Sequence, residues 1–117
     1  MTRVVRVVNG RTGRPIGEAV RVADTWWSRL IGLLGSRSLP AGTGLWLTPC
    51  KAVHMFGMRY PVDVAFIDPA GRVVEVYARL CPGQRTRLHR SAVAALEVAA
   101  GTMASADVRV GDPVIRS

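Results

Sequence analysis

Two β-forming runs on either side of one turn constrain the fold of this chain more than any other feature of its sequence. The first run is "VDVAFID", and the second is "RVVEVYARL", in which hydrophobic and polar residues alternate. The "DPAGR" segment between them has the Asp-Pro-x-Gly chemistry of a type I turn. The pattern therefore predicts one antiparallel hairpin from Val62 to Leu80.

Shorter segments predict the rest of a β-rich domain. "TRVVRVVN" and "IGEAVRVA" predict a second hairpin, because the "NGRTGRP" between them readily supplies positive φ. "LWLTP" predicts a strand that ends at Pro49. "AVAALEVAAG" fits a helix or a strand by its pattern, and the closing Gly101, followed by a short helical "TMASAD", favours a strand. The final "VRVGDPVIR" contains a turn at Gly111 and Asp112.

One segment, "DTWWSRLIGLLGS", predicts a convincing main helix. Asp24 or Thr25 is its N-cap, and Gly35 lies near its C-terminal end. Together these elements predict a mainly β domain of the α+β class with one short main helix. We expect it to fold as a compact, partly open β-barrel or sandwich.

Length and composition bound the class of protein. The 117 residues predict a single domain, and 49% hydrophobic with 21% charged residues is typical of a globular chain. No apolar run reaches the roughly 18 residues of a membrane span, and the N-terminus has no signal-peptide pattern, so we expect a cytoplasmic protein without membrane contact. The net charge of +8 comes from scattered arginines, so nucleic acid is not an expected partner. The one dense stretch, "RTRLHR", fits either a solvated loop or an anion-binding patch.

The segment "TPCKAVHMFGMRYPVDVAFID" gathers the residues that carry chemistry. The candidate ligand-binding residues are His54, Arg59, Asp63, Cys50 and Met58. A thiolate at Cys50 activated by His54 and oriented through Asp63 would be a nucleophile, whereas the plain alternative is a small, partly buried thiol. Arg59 either pairs with Asp63 or presents its planar fork to a ligand carboxylate or phosphate. Met58 either lines an adaptable groove or fills the core.

No metal or other cofactor is expected. Cys50, His54, His89 and Asp63 could supply ligands, but no pair has a recognised ligand spacing. Cys50 and Cys81 both lie in proline-flanked loops, and in a reducing cytosol both are expected to be thiols.

The order of several segments resembles the domain-of-unknown-function 192 family. They are "WWSRLIGLLG", "GLWLTPCKAVHMFGMRYPVDVAFID", "GRVVEVYARLCPG", "ALEVAAG" and "VRVGD", and together they cover about residues 23–115. The resemblance implies a compact β-rich domain with a short helix and implies no established activity. It also implies that a reaction built on Cys50 and His54 is not shared, because another branch carries Trp-Met-Lys-Asn-Thr in place of "HMFGM". Asp63 and "ALEV" match both branches.

Two classes of function follow. The first hypothesis is a binding or accessory module, in which residues 50–63 form a cleft with the predicted helix start and the loop from Arg85 to Arg90. That cleft would take a small anionic ligand or an extended peptide segment of a protein. The alternative is a cysteine-dependent hydrolase or thiol-transfer enzyme that uses Cys50 and His54. Catalysis, oligomeric state and the ligand itself stay open at this point.

Overall fold

Seven strands and one short helix are present in the parts of the chain that the structure describes. The structure is a computed structural model, and it describes residues 3–23 and 39–117. The elements are β1 (Arg3–Asn9), β2 (Pro15–Ala23), β3 (Thr43–Leu47), β4 (Val62–Ile67), β5 (Val73–Leu80), β6 (Ala94–Ala99), α1 (Thr102–Ser105) and β7 (Val114–Arg116). The predicted main helix "DTWWSRLIGLLGS" lies outside the described residues.

The strands form a single sheet in the order β5-β4-β6-β3-β2-β1-β7. Both predicted hairpins are confirmed, since β1 pairs with β2 and β4 pairs with β5, each antiparallel. β6 is a strand, as Gly101 indicated, and it lies antiparallel between β3 and β4. The β2–β3 pair is parallel, which requires a crossover connection rather than a tight turn.

The sheet curls so that its two outer strands approach each other at one end. The Val114 N–H, at the start of β7, donates to the Gly71 carbonyl in the β4–β5 turn at 2.8 Å. The Arg116 guanidinium on β7 lies 4.5 Å from the ring centroid of Trp46 on β3, although β1 and β2 separate these strands in the sheet. The result is a mainly β half-barrel, which confirms the predicted partly open barrel.

Two hydrophobic cores lie on the two faces of the sheet, because successive side chains of a strand point to opposite faces. On β6 the first core takes Leu96 and Val98, whereas Ala95 belongs to the second. We call the cluster that contains Phe66 the second core. Its buried members are Ala23, Leu45, Leu47, Val53, Met55, Val62, Val64, Phe66, Leu80, Ala92 and Ala95. The candidate functional residues lie on or around this core.

Candidate functional site

Two connecting segments pair with each other beside the second core. Residues 49–61 join β3 to β4, residues 81–93 join β5 to β6, and we call the two together the loop pair. Five backbone N–H···O=C bonds join them, and the three shortest run from Thr86 to Val53 (2.8 Å), from Met55 to Gln84 (2.7 Å) and from His89 to Lys51 (2.7 Å). Lys51 also donates through Nζ to the carbonyls of Arg90 at 2.8 Å and Ala92 at 2.6 Å. The predicted loops are therefore a small, ordered antiparallel unit.

Alternation along the first segment decides which side chains face outward. Val53 and Met55 are 8% and 1% exposed and belong to the second core. His54, between them, is exposed and forms an antiparallel backbone bridge with Arg85. Because extended backbone places neighbours on opposite sides, His54 and the arginine belong to the outer surface rather than to the interior.

Phe56 stands at the apex of a tight turn and is 82% exposed. The Met58 N–H donates to the Met55 carbonyl at 3.2 Å, and Gly57 has a φ of 80°, which is the third position of a type II turn. A second turn of the same kind, closed by Gly83 at a φ of 84°, lies beside it. Its Gly83 N–H donates to the same Met55 carbonyl at 3.1 Å. The paired turns hold an aromatic ring out in water on a constrained backbone.

The loop pair is basic and carries no acidic residue. Residues 49–61 and 81–93 contain no aspartate or glutamate, and their basic residues are Lys51, Arg59, Arg85, Arg87 and Arg90. All five are exposed. The fold thus brings Lys51 and Arg59 to the same unit as the dense "RTRLHR" stretch, which the linear sequence alone did not indicate. A surface of this kind attracts anionic partners over distances comparable to the Debye length.

Four of the five predicted site residues lie in the loop pair, two on each side of it. His54 and Arg59 are exposed on the outer side. Cys50 and Met58 are half-buried and pack against the second core. The Cys50 thiol donates to the Ala52 carbonyl at 3.2 Å. Neither Cys50 nor Cys81 forms a disulfide.

Asp63, the fifth predicted residue, lies apart from the other four. It is 1% exposed and alternates with Val62 and Val64, which point into the second core, so it faces the other side of the sheet. Its Oδ1 accepts the Arg79 N–H at 2.8 Å, and its Oδ2 accepts the N–H groups of Gly101 at 2.9 Å and Met103 at 3.0 Å. No ion pair with Arg59 occurs among the described residues. The Asp63 carboxylate therefore anchors the backbone at Arg79 and at Gly101 to Met103.

An aromatic cluster fixes the far end of the loop pair. The His89 imidazole is 4% exposed, its centroid lies 4.5 Å from that of Phe66, and its Nε2 lies 2.7 Å from the Tyr77 hydroxyl. Burial, reinforced by the charge of Arg87, lowers the pKa of His89, so the neutral ring is favoured. The sequence offered His89 as a metal ligand. In the described ranges no group of three His, Cys, Asp or Glu residues could hold a metal.

Glu97 is the candidate that sequence reasoning missed. It lies in the middle of β6, is 4% exposed, and faces the second core between Leu45 and Val64 of the neighbouring strands. Burial raises the pKa of this carboxyl to about 7. A lone acidic residue inside the apolar run "AVAALEVAAG" was the available signal, since glutamate is almost never fully buried without a partner.

Comparison with protein families decides the relationship. The model of DUF192, described as "Uncharacterized ACR", matches residues 7–115. The chain belongs to the DUF192 family. The predicted resemblance is therefore confirmed, and the match also includes the end of β1 and all of β2, which precede the segments that carried it. No protein in a search of curated proteins matches the chain.

Solved structures share the fold of this DUF192 chain. A protein of unknown function from Novosphingobium aromaticivorans DSM 12444 superposes with a TM-score of 0.80 at 23% identity, covering 97% of this chain and 84% of its own. A protein from Sinorhizobium meliloti 1021, described as a proposed transcription regulator, gives a TM-score of 0.80 at 22% identity, with 99% and 94% covered. At these identities the likeness shows the fold alone. Within the described residues, no helix is long and apolar enough to cross a bilayer.

Proposed function

We propose that this DUF192 chain is a binding module whose loop pair holds an extended, acidic peptide segment of a partner protein. The observation that carries the proposal is Phe56, 82% exposed at a turn apex within a basic surface that contains no acidic residue. Aromatic and arginine side chains are the residue types that most often dominate protein interfaces. An aromatic ring held out by a constrained turn loses little conformational entropy when a partner covers it.

Apolar and basic groups are interleaved on this surface, which favours a peptide over other anions. Leu88, on the second segment of the loop pair, is 53% exposed, and arginines precede and follow it in the sequence at positions 87 and 90. A peptide with acidic residues on either side of one bulky apolar side chain would match both features. The arginines would set the rate and orientation of encounter, whereas Phe56 and Leu88 would supply buried apolar area.

The cysteine-dependent alternative has no comparable support. The Cys50 thiol donates to a backbone carbonyl, and His54 is exposed on the opposite side of the same segment. Asp63, the residue that would orient the imidazole, bonds backbone N–H groups on the other face of the sheet. An activated thiol needs its base within hydrogen-bonding reach and a third group that orients the base.

The test is fluorescence anisotropy with two labelled peptides, one carrying glutamates around a central leucine and one carrying lysines at the same positions. We expect saturable binding of the acidic peptide alone, weakened at least about fivefold by Phe56→Ala and by Arg85→Glu. Matched controls are Val110→Ala, an exposed hydrophobic residue outside the loop pair at 62% exposure, and Arg3→Glu at the far end of the sheet. Both should change the affinity less than about twofold.

Three outcomes would contradict the proposal. The first is absence of binding to the acidic peptide at low salt, where electrostatic attraction is strongest. The second is an equal loss of affinity in the control variants, which would indicate a general charge effect. The third is tighter binding of a random-sequence DNA duplex that Phe56→Ala leaves unchanged, since that result would assign the surface to nucleic acid.

A further inference from the structure

Glu97 places a carboxyl group among apolar side chains, without a partner among the residues that the structure describes. Its side chain has no hydrogen bond or ion pair with any described residue, although the residue is 4% exposed. Leu45 and Val64 lie directly opposite it on the neighbouring strands, and both belong to the second core. An ionised carboxylate in such surroundings is costly unless a donor or an opposite charge meets it. A buried polar group of this kind in a folded protein needs an explanation.

The neighbours of Glu97 on the same strand are small and apolar. Ala95 and Ala99 lie two residues before and after Glu97, so they point to the same face, and each side chain is a single methyl group. The Glu97 side chain thus lies between two alanines along β6 and between the larger Leu45 and Val64 across the neighbouring strands. Among the described residues, the immediate neighbours of the carboxyl on β6 are therefore methyl groups, which offer it neither a hydrogen-bond donor nor a charge.

The titratable groups nearest in the sheet do not neutralise it. Arg21 and Tyr77 lie in the same row as Glu97, because Arg21 pairs with Leu45 and Tyr77 pairs with Val64. Each is two strands away, which is about 10 Å at the usual strand spacing. Arg21 is exposed, and the Tyr77 hydroxyl bonds His89. Among the described residues, no positively charged side chain pairs with the Glu97 carboxylate.

We propose that Glu97 is the recognition group of an internal binding site for a small primary amine with a short apolar body. An ammonium group offers three N–H donors and one positive charge, which satisfy both oxygens of a carboxylate in a short, charge-assisted contact. The hydrocarbon body would lie against Leu45, Val64 and the alanines, from which it would displace no polar partner. A carboxylate ligand would repel an ionised Glu97, and a neutral amide would leave its charge buried. The site lies inside the second core, whereas the peptide would bind the outer surface of the loop pair, so neither proposal depends on the other.

The test uses three probes with the same four-carbon body, which are n-butylamine, n-butyramide and n-butyrate. Each is titrated into the full ¹⁵N-labelled chain, and the backbone amides of Leu45, Val64 and Glu97 are followed by NMR. We expect saturable shifts with n-butylamine and at least about tenfold weaker binding in Glu97→Gln, equal to about 1.4 kcal/mol. Ala95→Leu should block binding by filling the space, and Glu18→Gln, which changes an exposed glutamate on β2, should leave it intact.

Several results would overturn the inference. They are equal or tighter binding of n-butyramide or n-butyrate, unchanged amine binding in Glu97→Gln, or the absence of a saturable shift at millimolar amine. Glu97→Gln decides the matter even if Ala95→Leu fails to fold, because the glutamine keeps the shape of the side chain. Since the loop pair contains neither Glu97 nor Ala95, failure here would leave the peptide-binding result unaffected.

Discussion

At the scale of single residues, Asp63 shows how one carboxylate can fix two distant pieces of backbone. It accepts N–H groups from Arg79 at the end of β5, from Gly101 and from Met103. Arg79 has a φ of 55° and lies where the β4–β5 register shifts, so the chain there cannot make an ordinary ladder bond. The aspartate therefore supplies the acceptor that a strand would otherwise provide.

Asp63→Ala should lower the free energy of unfolding by about 3–5 kcal/mol, because it leaves buried N–H donors without an acceptor. Urea denaturation followed by circular dichroism measures the change. Asp68→Ala is the matched control, since the Asp68 carboxylate also accepts two N–H groups, from Ala70 and Arg72, but in an exposed turn. Water can replace that acceptor, so we expect a loss of about 1 kcal/mol. Equal losses in the two variants would contradict the proposed anchoring role of Asp63.

Glu97 should make the stability of the protein depend on pH in the direction opposite to most carboxyl groups. Its pKa is about 7 in the folded chain against 4.5 as the reference value. The unfolded state therefore releases the proton first, and the folded state loses relative stability as pH rises from 4.5 to about 7. At 1.36 kcal/mol per pKa unit the full loss is roughly 3 kcal/mol, and most of it falls between pH 5 and pH 8.

Glu97→Gln removes this titration. We therefore compare the free energy of unfolding of the variant with that of the parent chain, by urea unfolding at pH 5 and at pH 8. The difference, variant minus parent, should be about 2 kcal/mol larger at pH 8 than at pH 5. Glu18→Gln, at an exposed ion pair with Arg6, should show no such difference. A Glu97→Gln effect that is the same at pH 5 and pH 8 would mean that the carboxyl is not desolvated in the folded chain.

The two acidic residues also show what the sequence could and could not predict about the site. The sequence makes Asp63 a candidate to orient His54 or to pair with Arg59, yet the N–H groups that it accepts from Gly101 and Met103 lie about forty positions further along the chain. Only the fold brings them together. His54 and Met55 follow an alternation that was visible in "KAVHMFG", which separates outer from inner residues. The apolar context of Glu97 was visible too, but its two opposing strands were not.

At the scale of elements, β3 and β6 lie so close at one position that only glycine fits. A Cβ on Gly44 would be 2.8 Å from the Glu97 carbonyl oxygen and 2.9 Å from Val98 Cγ1. The carbonyl belongs to the sheet backbone and cannot move without disturbing its hydrogen bonds. Gly44→Ala should therefore lower the free energy of unfolding by about 1–3 kcal/mol, as measured by urea denaturation.

Gly13→Ala is an informative comparison for that variant. Gly13 has a φ of 76° but nothing within 4 Å of an added Cβ, so its penalty comes from backbone conformation alone. We expect about 1 kcal/mol there. A Gly44→Ala chain as stable as the parent would show that the two strands can separate without loss.

Elements with local signals were predictable, and those that depend on distant pairing were not. The β4–β5 hairpin followed from alternation and from the Asp68 turn, whose side chain accepts the N–H of Ala70 at 2.9 Å. The assignment of β6 depended on Gly101, which has a φ of 94° and ends the strand before α1. The loop pair had no such local signal, because its segments are joined only when β3, β4, β5 and β6 are adjacent in the sheet.

At the scale of the whole molecule, a hydrogen-bond network around Asn9, Arg11 and Asp112, which we call the clasp, joins the β1–β2 turn to the segment before β7. Asn9 is fully buried, and its Nδ2 donates to the Ala106 carbonyl at 3.0 Å and to Asp112 Oδ2 at 3.2 Å. Asp112 also accepts Arg11 Nε at 2.7 Å and the Arg109 N–H at 2.9 Å. The clasp lies next to the contact between the two outer strands, so it stabilises the curled state of the sheet rather than one element.

The clasp should be sensitive to acid. The hydrogen bond from Arg11 holds the pKa of Asp112 below its reference value of 3.8, so the folded state binds that proton less readily than the unfolded state. This stabilisation is present above pH 3.8 and is lost as pH falls through the lower pKa of the folded chain. Asp112→Asn should be clearly destabilised at pH 7, and its deficit should shrink steadily below pH 3.8 in urea unfolding curves.

Asp107→Asn is the control for Asp112→Asn, because it removes one negative charge nearby and leaves the hydrogen bonds of Asp112 in place. Asp107 pairs with Arg11 at 3.0 Å and with Arg109 at 3.2 Å, but its side chain is 39% exposed and its φ is 51°. Asparagine tolerates that left-handed conformation well, and exposed ion pairs contribute little. We therefore expect a much smaller destabilisation than in Asp112→Asn at pH 7. If the two variants were equally destabilised, surface charge rather than the buried clasp would hold the two ends of the sheet together.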